Sequence, residues 1–207
     1  MADIESLTSV PPETLIGPGR YGFADGDPGV HARRLDALAL ATLVAGRHQE
    51  EALSAAIKAV FGCALPQGAK ATPGDCSFVG VGPGRWLAVV VEGDGETLER
   101  KLAGTIGKSG SVCDQSDGFV VFELTGPRLR DALAKLLTID IDPHVFGPGI
   151  AATTSAALIG VTFWQLDDAP RFRFSVARSY GNAFIRALAF SSAEYGFTLE
   201  RETLSSA

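Results

Sequence analysis

The order of short apolar segments constrains the fold more than any other feature of this sequence. Pairs of strand-like runs alternate with amphipathic helical runs, and the pattern occurs twice along the 207 residues. It predicts the order ββαββα followed by ββαβββα, with one strand of each half weakly marked. Short Gly/Pro connections between runs favour hairpins, and hairpins favour antiparallel sheets. We therefore predict an α+β fold of duplicated ββαββ(β)α modules, with antiparallel sheets and the helices on one side.

The same pattern predicts the domain organisation. Residues 1–29 are rich in Gly and Pro, which predicts an irregular N-terminal arm. One module follows over residues 30–107 and a second over residues 108–207. Each module is too short to bury much surface alone, so the two are expected to form one compact domain.

Four helices are predicted from a 3.6-residue spacing of apolar side chains. They cover Gln49–Phe61, Glu96–Ile106, Pro127–Leu137 and Asn182–Ala193. The apolar face of the first predicted helix consists of Leu53, Ala56, Ile57, Val60 and Phe61.

The last predicted strands show the clearest sheet signal. Arg171–Ala177 alternates Phe and Val with Arg and Ser, which is typical of a strand with one buried face. Ala152–Leu158 and Val161–Leu166 are predicted as the two strands before it.

Composition excludes several functional classes. The net charge is -6 and no segment carries a Lys/Arg run, so the chain lacks the clustered positive charge of a nucleic-acid binder. No stretch approaches the length of a membrane span, and the N-terminus does not have the pattern of a signal peptide. Three cysteines without a C-x-x-C spacing indicate buried thiols rather than a disulfide framework. We expect a cytoplasmic protein.

No catalytic or metal-binding motif is recognisable. His31, His48 and His144 occur outside any nucleophile or zinc motif, and the Cys and His residues are too scattered for a zinc site. The Gly-rich segments match neither a dinucleotide-binding loop nor a phosphate-binding loop. We expect no catalytic residue, no cofactor-binding residue and no metal ligand in this chain.

The densest polar cluster is Asp114-Gln115-Ser116-Asp117-Gly118. It predicts either a ligand or partner site at a hairpin tip, or simply an Asp-Gly turn between two strands. A hydrolase that used Asp114 and Asp117 would also need a general base and an oxyanion donor, and neither can be named.

Several motifs occur in the same order as in one known family. The chain resembles the gamma subunit of heterotetrameric sarcosine oxidase from about residue 29 to residue 195. The matching stretches are Val79-Gly80-Val81-Gly82-Pro83-Gly84-Arg85-Trp86-Leu87, Asp114-Gln115-Ser116-Asp117-Gly118, Leu124-Thr125-Gly126-Pro127-Arg128, Leu133-Ala134-Lys135-Leu136, Trp164-Gln165-Leu166-Asp167-Asp168-Ala169-Pro170 and Arg178-Ser179-Tyr180.

The resemblance implies a fold like the folate-binding domain of the glycine-cleavage aminomethyltransferases, in which two modules exchange their first strands. It also implies a bacterial complex that oxidises sarcosine to glycine, reduces oxygen to hydrogen peroxide and passes the one-carbon unit to tetrahydrofolate. The alpha, beta and delta subunits are the implied partners. FAD, FMN, NAD, zinc and tetrahydrofolate are expected in those subunits and not in this chain.

The resulting prediction is a non-catalytic gamma subunit with a structural or assembly role. The alternative is a free-standing folate-binding protein related to the aminomethyltransferases. Self-association of the isolated chain is left open. The candidate partner interface consists of Ser116, Asp117, Gly118, Phe119 and Phe122.

Overall fold

The computed structural model describes residues 16–23 and 25–201, and within them the chain forms eleven strands and four α-helices. The strands are Gly19–Tyr21 (β1), Val30–Leu35 (β2), Leu38–Ala45 (β3), Cys76–Gly82 (β4), Arg85–Val91 (β5), Gly110–Asp114 (β6), Phe119–Thr125 (β7), Ala151–Ala156 (β8), Ile159–Asp167 (β9), Arg171–Ala177 (β10) and Phe197–Arg201 (β11). The helices are Glu50–Phe61 (α1), Gly95–Ile106 (α2), Leu129–Ala134 (α3) and Gly181–Ser191 (α4).

The strands form two sheets. The larger sheet has seven strands in the order β1-β11-β2-β7-β10-β9-β8, and the smaller has four in the order β4-β5-β3-β6. Neighbouring strands are antiparallel throughout, except that β11 is parallel to β2. The predicted mixture of helices with antiparallel sheets is therefore confirmed.

The buried side chains divide this part of the chain into layers. One cluster, which includes Leu53 and Leu102, joins α1 and α2 to the smaller sheet. A second, which includes Leu133 and Phe184, joins α3 and α4 to the larger sheet. A third lies between the two sheets and includes Trp164. The order of layers is thus helices, smaller sheet, larger sheet, helices, and each sheet has helices on one side only.

Phenylalanine rings fill the core beneath α4. The Phe163 and Phe174 rings stack at 4.6 Å, and Phe174 lies 5.4 Å from Phe184. The buried face predicted for Arg171–Ala177 is confirmed, because Phe172, Phe174 and Val176 are completely buried. The prediction that only one face is buried is wrong, because Ser175 on the other face is 2% exposed.

The third helix is shorter than the predicted Pro127–Leu137. It begins at Leu129, after Arg128 as the N-cap, and ends at Ala134. The amide of Leu136 then donates to the Leu133 carbonyl at 2.9 Å, an i→i+3 bond that tightens the last turn.

The prediction that Ala152–Leu158 is a strand is wrong at its C-terminal end. β8 stops at Ala156, and Ala157 and Leu158 form the two-residue turn into β9. Their φ angles of 48° and 68° lie outside the strand region.

Two strands were not predicted, and the predicted apolar face of α1 is only partly buried. β1 falls in the region predicted as an irregular arm, of which residues 1–15 and 24 lie outside the described residues. β11 was missed although Phe197 and Leu199 are buried and alternate with polar residues. Val60 is 51% exposed, because the buried stripe of α1 is narrower than its apolar sequence and includes only Leu53 and Ile57.

Candidate functional site

The polar tract Asp114–Gly118 connects β6 of the smaller sheet to β7 of the larger sheet. The prediction that it lies at a hairpin tip is therefore wrong, because the two strands do not pair with each other. The amide of Gln115 donates to the Leu40 carbonyl at 2.7 Å. The hydroxyl of Ser116 accepts from the Leu40 amide at 3.0 Å. These two bonds fix the crossover to β3 at the point where the chain leaves one sheet for the other.

The Asp114 carboxylate lies against the first residue of α2. It accepts from the Ser116 amide at 2.9 Å and from the Ser116 hydroxyl at 2.6 Å. A Cβ atom on Gly95 would lie 2.5 Å from both carboxylate oxygens and from the same hydroxyl, so a larger residue there would force these side chains to move. The carboxylate is also placed favourably for the helix dipole, because the N-terminus of a helix carries partial positive charge.

Arg178 holds the other side of the tract. Its guanidinium donates to the carbonyls of Asp117 at 2.7 Å and Ser116 at 3.0 Å. Its backbone amide donates to the Gly118 carbonyl at 3.0 Å. Backbone acceptors that a ligand could have used are therefore occupied by this chain's own arginine.

The five predicted interface residues separate into surface and interior. Asp117 and Gly118 are exposed, whereas Ser116 is half-buried. Phe119 is half-buried and packs against the core between the sheets. Phe122 is only 4% exposed. Its place in an interface is therefore wrong, because its position on β7 turns the ring into the core beneath α4.

A second polar cluster crosses three strands of the larger sheet. Glu123 on β7 is paired with Arg33 on β2 and with Arg173 on β10, each at 3.1 Å. The carboxylate side chain is 8% exposed, Arg173 is 16% exposed and Arg33 is 46% exposed. The Glu123 carboxylate can stay charged although it is buried, because two arginine side chains compensate its charge.

Arg130 secures the loop between α3 and β8. Its guanidinium donates to the carbonyls of Ile141 and Phe146 and to the side-chain oxygen of Gln165, and it lies over the Phe172 ring at 5.1 Å. Burial lowers the pKa of Arg130, with nearby Asp142 opposing that shift. Because Arg130 donates to neutral acceptors in and beside this loop, we interpret it as a residue that stabilises the loop conformation.

His144 and the cysteines Cys63 and Cys76 lie in different parts of the described structure and do not form a common site. His144 lies beside Asp142, with 2.7 Å between Nδ1 and the carboxylate, and hydrogen bonds from His144 lower the pKa of Asp142. Cys63 and Cys76 are half-buried free thiols packed against the core beside α1 and α2. The prediction of buried thiols is wrong for Cys113, which is exposed on β6 at the edge of the smaller sheet. Burial, with a smaller contribution from nearby Cys63, raises the pKa of the Cys76 thiol to about 12.

A broad groove of about 810 Å³ follows α1 and the hairpin between β4 and β5. Its wall includes Pro83 and Trp86, and the Trp86 indole donates to the Pro66 carbonyl at 2.9 Å.

Across residues 16–23 and 25–201, no group of three or more His, Cys, Asp or Glu residues could hold a metal ion. None of the helices in that part of the chain is long and apolar enough to cross a membrane.

Sequence reasoning identified the polar tract but not the residues that bind it. Leu40 binds the tract through its backbone amide and carbonyl, and Gly95 allows the Asp114 carboxylate to lie close to α2. Neither role depends on a side chain that the sequence would reveal. Arg178 was recognised within a motif without a role. The only available signal was that an arginine near the end of β10 is well suited to several carbonyl acceptors.

Comparisons with known proteins agree on one family. The model of the sarcosine oxidase gamma subunit family matches residues 45–194. The sarcosine oxidase gamma subunit of an Arthrobacter species is 35% identical over 114 residues, and that of Corynebacterium sp. (strain P-1) is 34% identical over 115 residues. Each match covers 54% of this chain and 56% of the relative, so the chain spans little more than half the length of these curated relatives.

Two solved structures support the fold. A chain of the heterotetrameric sarcosine oxidase from Corynebacterium sp. U-96 in complex with pyrrole 2-carboxylate is 28% identical, with a TM-score of 0.71. The match covers 83% of this chain and 88% of that one. Glycine cleavage system aminomethyltransferase T from Bartonella henselae is 12% identical with a TM-score of 0.59, covering 84% of this chain and 48% of that one.

Proposed function

This chain belongs to the sarcosine oxidase gamma subunit family, and from that premise we propose that it is a non-catalytic subunit of a heterotetrameric sarcosine oxidase. The observation that carries the proposal is the family match over residues 45–194. The structural similarity supports it, because the related chain from Corynebacterium sp. U-96 is part of a heterotetrameric enzyme and is matched over 88% of its length.

We further propose that the fold is a duplication whose halves, 30–107 and 108–207, exchange their first strands. Two placements support this. β2 precedes the strands of the smaller sheet in sequence but lies in the larger sheet. β6 precedes β7 to β11 of the larger sheet in sequence but lies in the smaller one. Each half thus contributes one strand to the other sheet, as the resemblance to the folate-binding domains implies.

The proposed role is assembly. The polar tract at the crossover is bound by the chain's own groups, which suits a rigid scaffold better than a catalytic centre. The exposed part of its turn, Asp117 and Gly118, is proposed to face a partner. FAD, FMN, NAD, zinc and tetrahydrofolate are assigned by this proposal to the alpha, beta and delta subunits. The complex would work in the cytoplasm on sarcosine, oxygen and tetrahydrofolate.

A free-standing folate-binding protein is the weaker alternative. Its support is the similarity to aminomethyltransferase T, which at 12% identity speaks for the fold alone. Calorimetry with tetrahydrofolate on the purified chain separates the two. Micromolar binding by the chain alone would favour the alternative.

Co-expression with the other subunits from the same organism tests the proposal. A tagged copy of this chain should recover flavin-bearing partners that elute with it in size exclusion and show a flavin spectrum. Sarcosine-dependent release of hydrogen peroxide should appear in that fraction and be lacking from the chain purified alone. A chain that elutes alone in the presence of the others, or that turns over sarcosine by itself, contradicts the proposal.

A further inference from the structure

A small cavity lies between the start of α4 and the larger sheet. Its volume is about 50 Å³, and Ile16 and Pro18 of the segment that leads into β1 form part of its wall. One water molecule requires roughly 10–15 Å³, so a group of about four non-hydrogen atoms has room there. The cavity can therefore hold a ligand, but only a small one.

Three side chains with hydrogen-bond donors line this cavity. Arg34 lies on the face of β2 that also carries Val30 and Ala32, which pack in the core beneath α3 and α4. Arg178 comes from the single 3₁₀ turn before α4, and Asn182 from the first turn of α4 itself. Among the described residues that line the cavity, none is Asp or Glu. Its polar wall is therefore cationic, although the whole chain has a net charge of -6.

The side-chain amide of Asn182 lacks an acceptor. Its Nδ2 atom is buried and donates to no group in the part of the chain that the structure describes. A buried donor in this state is unfavourable, because its hydrogen bond to water is lost on folding and is not replaced. Since Asn182 lines the cavity, an acceptor bound there would supply the missing bond.

The two arginines are only partly compensated by this chain. Arg34 Nε lies 2.6 Å from the Asp36 carboxylate, but without the alignment of a hydrogen bond. Arg178 uses Nε and Nη2 for the carbonyls of Asp117 and Ser116, and its Nη2 is 3.6 Å from the Asp117 carboxylate. A guanidinium group has five N–H donors and no acceptor, so each arginine retains donors for an anion.

The rest of the wall determines which anion fits. It includes Val120, Phe122, Ile185 and Leu199, each at most 8% exposed. This apolar surface suits a short aliphatic tail, and the guanidinium groups suit a planar carboxylate, which accepts two parallel N–H bonds from an arginine. The ammonium group of an amino acid would meet two cations and no carboxylate, so the wall selects against amino acids.

We propose that this cavity binds a small aliphatic monocarboxylate of two or three carbon atoms through Arg34, Arg178 and Asn182. The carboxylate accepts from the Asn182 amide and from the guanidinium groups, and the alkyl tail packs on the apolar wall. Because so few atoms are buried and Asp36 partly neutralises Arg34, we expect a Kd of about 0.1–10 mM. This site goes beyond the proposed function and does not depend on assembly with other subunits.

Titration of the purified full chain with acetate and propionate, exchanged for chloride at constant ionic strength, tests the proposal. Calorimetry should give saturable binding to one site, and the melting temperature should rise by roughly 3–6 °C at ten times the Kd. Glycine should have no effect. Lack of a saturable response at about 100 mM acetate or propionate would mean that the cavity holds water only, and would overturn the proposal. Equal responses to glycine or sulfate would also overturn it, because the site would not select carboxylates with an apolar tail.

Two charge variants in the first turn of α4 test where the ligand binds. Asn182→Asp keeps the shape of the side chain, removes the amide donor and places a carboxylate in the cavity, so acetate should bind at least about tenfold more weakly. Ala183→Asp is the matched control, because it adds the same charge in the same turn at an exposed position outside the cavity wall. It should bind acetate as the wild type does, and equal affinities of the two variants would contradict the proposed position.

A second pair of variants keeps the test independent of the folding of Asn182→Asp. Arg34→Met removes a guanidinium group from the cavity, whereas Arg186→Met removes an exposed one from α4 outside its wall. Acetate should bind Arg34→Met at least about tenfold more weakly than it binds Arg186→Met. Undiminished acetate binding by Arg34→Met would overturn the proposal.

Discussion

Replacing Gly95 by alanine should destabilise the protein, although alanine is the better helix former. Gly95 is the first residue of α2, and a Cβ there would lie 2.5 Å from the Asp114 carboxylate oxygens and the Ser116 hydroxyl. Contacts that short require the Asp114 and Ser116 side chains to move. The tract would then lose the bond between Ser116 and Asp114 and the bond from the Leu40 amide.

The expected loss follows from these contacts. Two hydrogen bonds at about 1 kcal/mol each, together with about 1 kcal/mol of overpacking, exceed the gain of at most about 1 kcal/mol from replacing glycine in a helix. The net change is about 2 kcal/mol, which would lower the melting temperature by about 4–8 °C in a protein of this size. Urea denaturation of the purified chain gives the free energy of unfolding, and a thermal melt gives the temperature.

Gly104 is the matched control, because it lies in the same helix with no atom within 4 Å of an added Cβ. Gly104→Ala should therefore stabilise the chain by about 0.5–1 kcal/mol. The double variant Gly95→Ala/Asp114→Ala should recover part of the loss, since the carboxylate that obstructs the new methyl group is gone. If Gly95→Ala stabilised the protein as Gly104→Ala does, the tract would not be packed against the N-terminus of α2.

Three further predictions concern the arginine pair around Glu123 and the half-buried Cys76 thiol. Arg173→Met should lower the free energy of unfolding in urea by about 2 kcal/mol, and Arg33→Met by at most about 0.5 kcal/mol. Arg173 is the more buried of the two partners of Glu123, so equal losses would contradict this reasoning. At pH 8, the exposed Cys113 should be alkylated at least about 100-fold faster than Cys76, whose pKa is raised to about 12, and peptide mass spectrometry at timed intervals measures the ratio. The folded state disfavours the Cys76 thiolate, so ionisation of this thiol favours the unfolded chain. The free energy of unfolding should therefore be unaffected by Cys76 below the ordinary thiol pKa and should fall as pH rises from about 9 towards 12. Cys76→Ala should flatten that alkaline decline, and an unchanged slope would argue against the burial.

The parts of the fold that were predicted from sequence depend on local periodicity. The helices α1 and α2 and the strand Arg171–Ala177 have regular apolar spacing, and their existence and buried faces follow from it. Val60 shows the limit of that reasoning. An apolar residue at helical spacing is buried only where a neighbouring element covers it, and coverage is a property of the tertiary structure.

The membership of each strand in a sheet could not be read from the sequence. β2 and β3 are separated by only two residues, yet they lie in different sheets. β2 alternates apolar with polar residues and β3 is mostly apolar, but neither pattern identifies a partner strand. The sheet is decided by the pairing of β2 with β11 and β7 and of β3 with β5 and β6. The proposed exchange of strands was suggested only by the resemblance to a known family, because periodicity carries no information about which strands pair.

The turn at Ala157 and Leu158 was hidden for a different physical reason. Turn prediction depends on residues that tolerate positive φ, and neither alanine nor leucine does so readily. The sequence therefore extends the strand through both positions, although the structure ends it at Ala156. A disagreement between local preference and observed backbone is itself informative, because natural sequences are consistent across levels except where function requires otherwise.

The polar tract and the strained turn illustrate opposite uses of unusual residues. In the tract, hydrogen bonds join Ser116 to the Asp114 carboxylate and the Arg178 guanidinium to the Ser116 carbonyl. These polar groups therefore hold the connection between the two sheets in place. At the turn, Leu158 satisfies nothing within the described chain and costs it stability. Local sequence preference and observed backbone therefore agree in the tract and disagree at the turn.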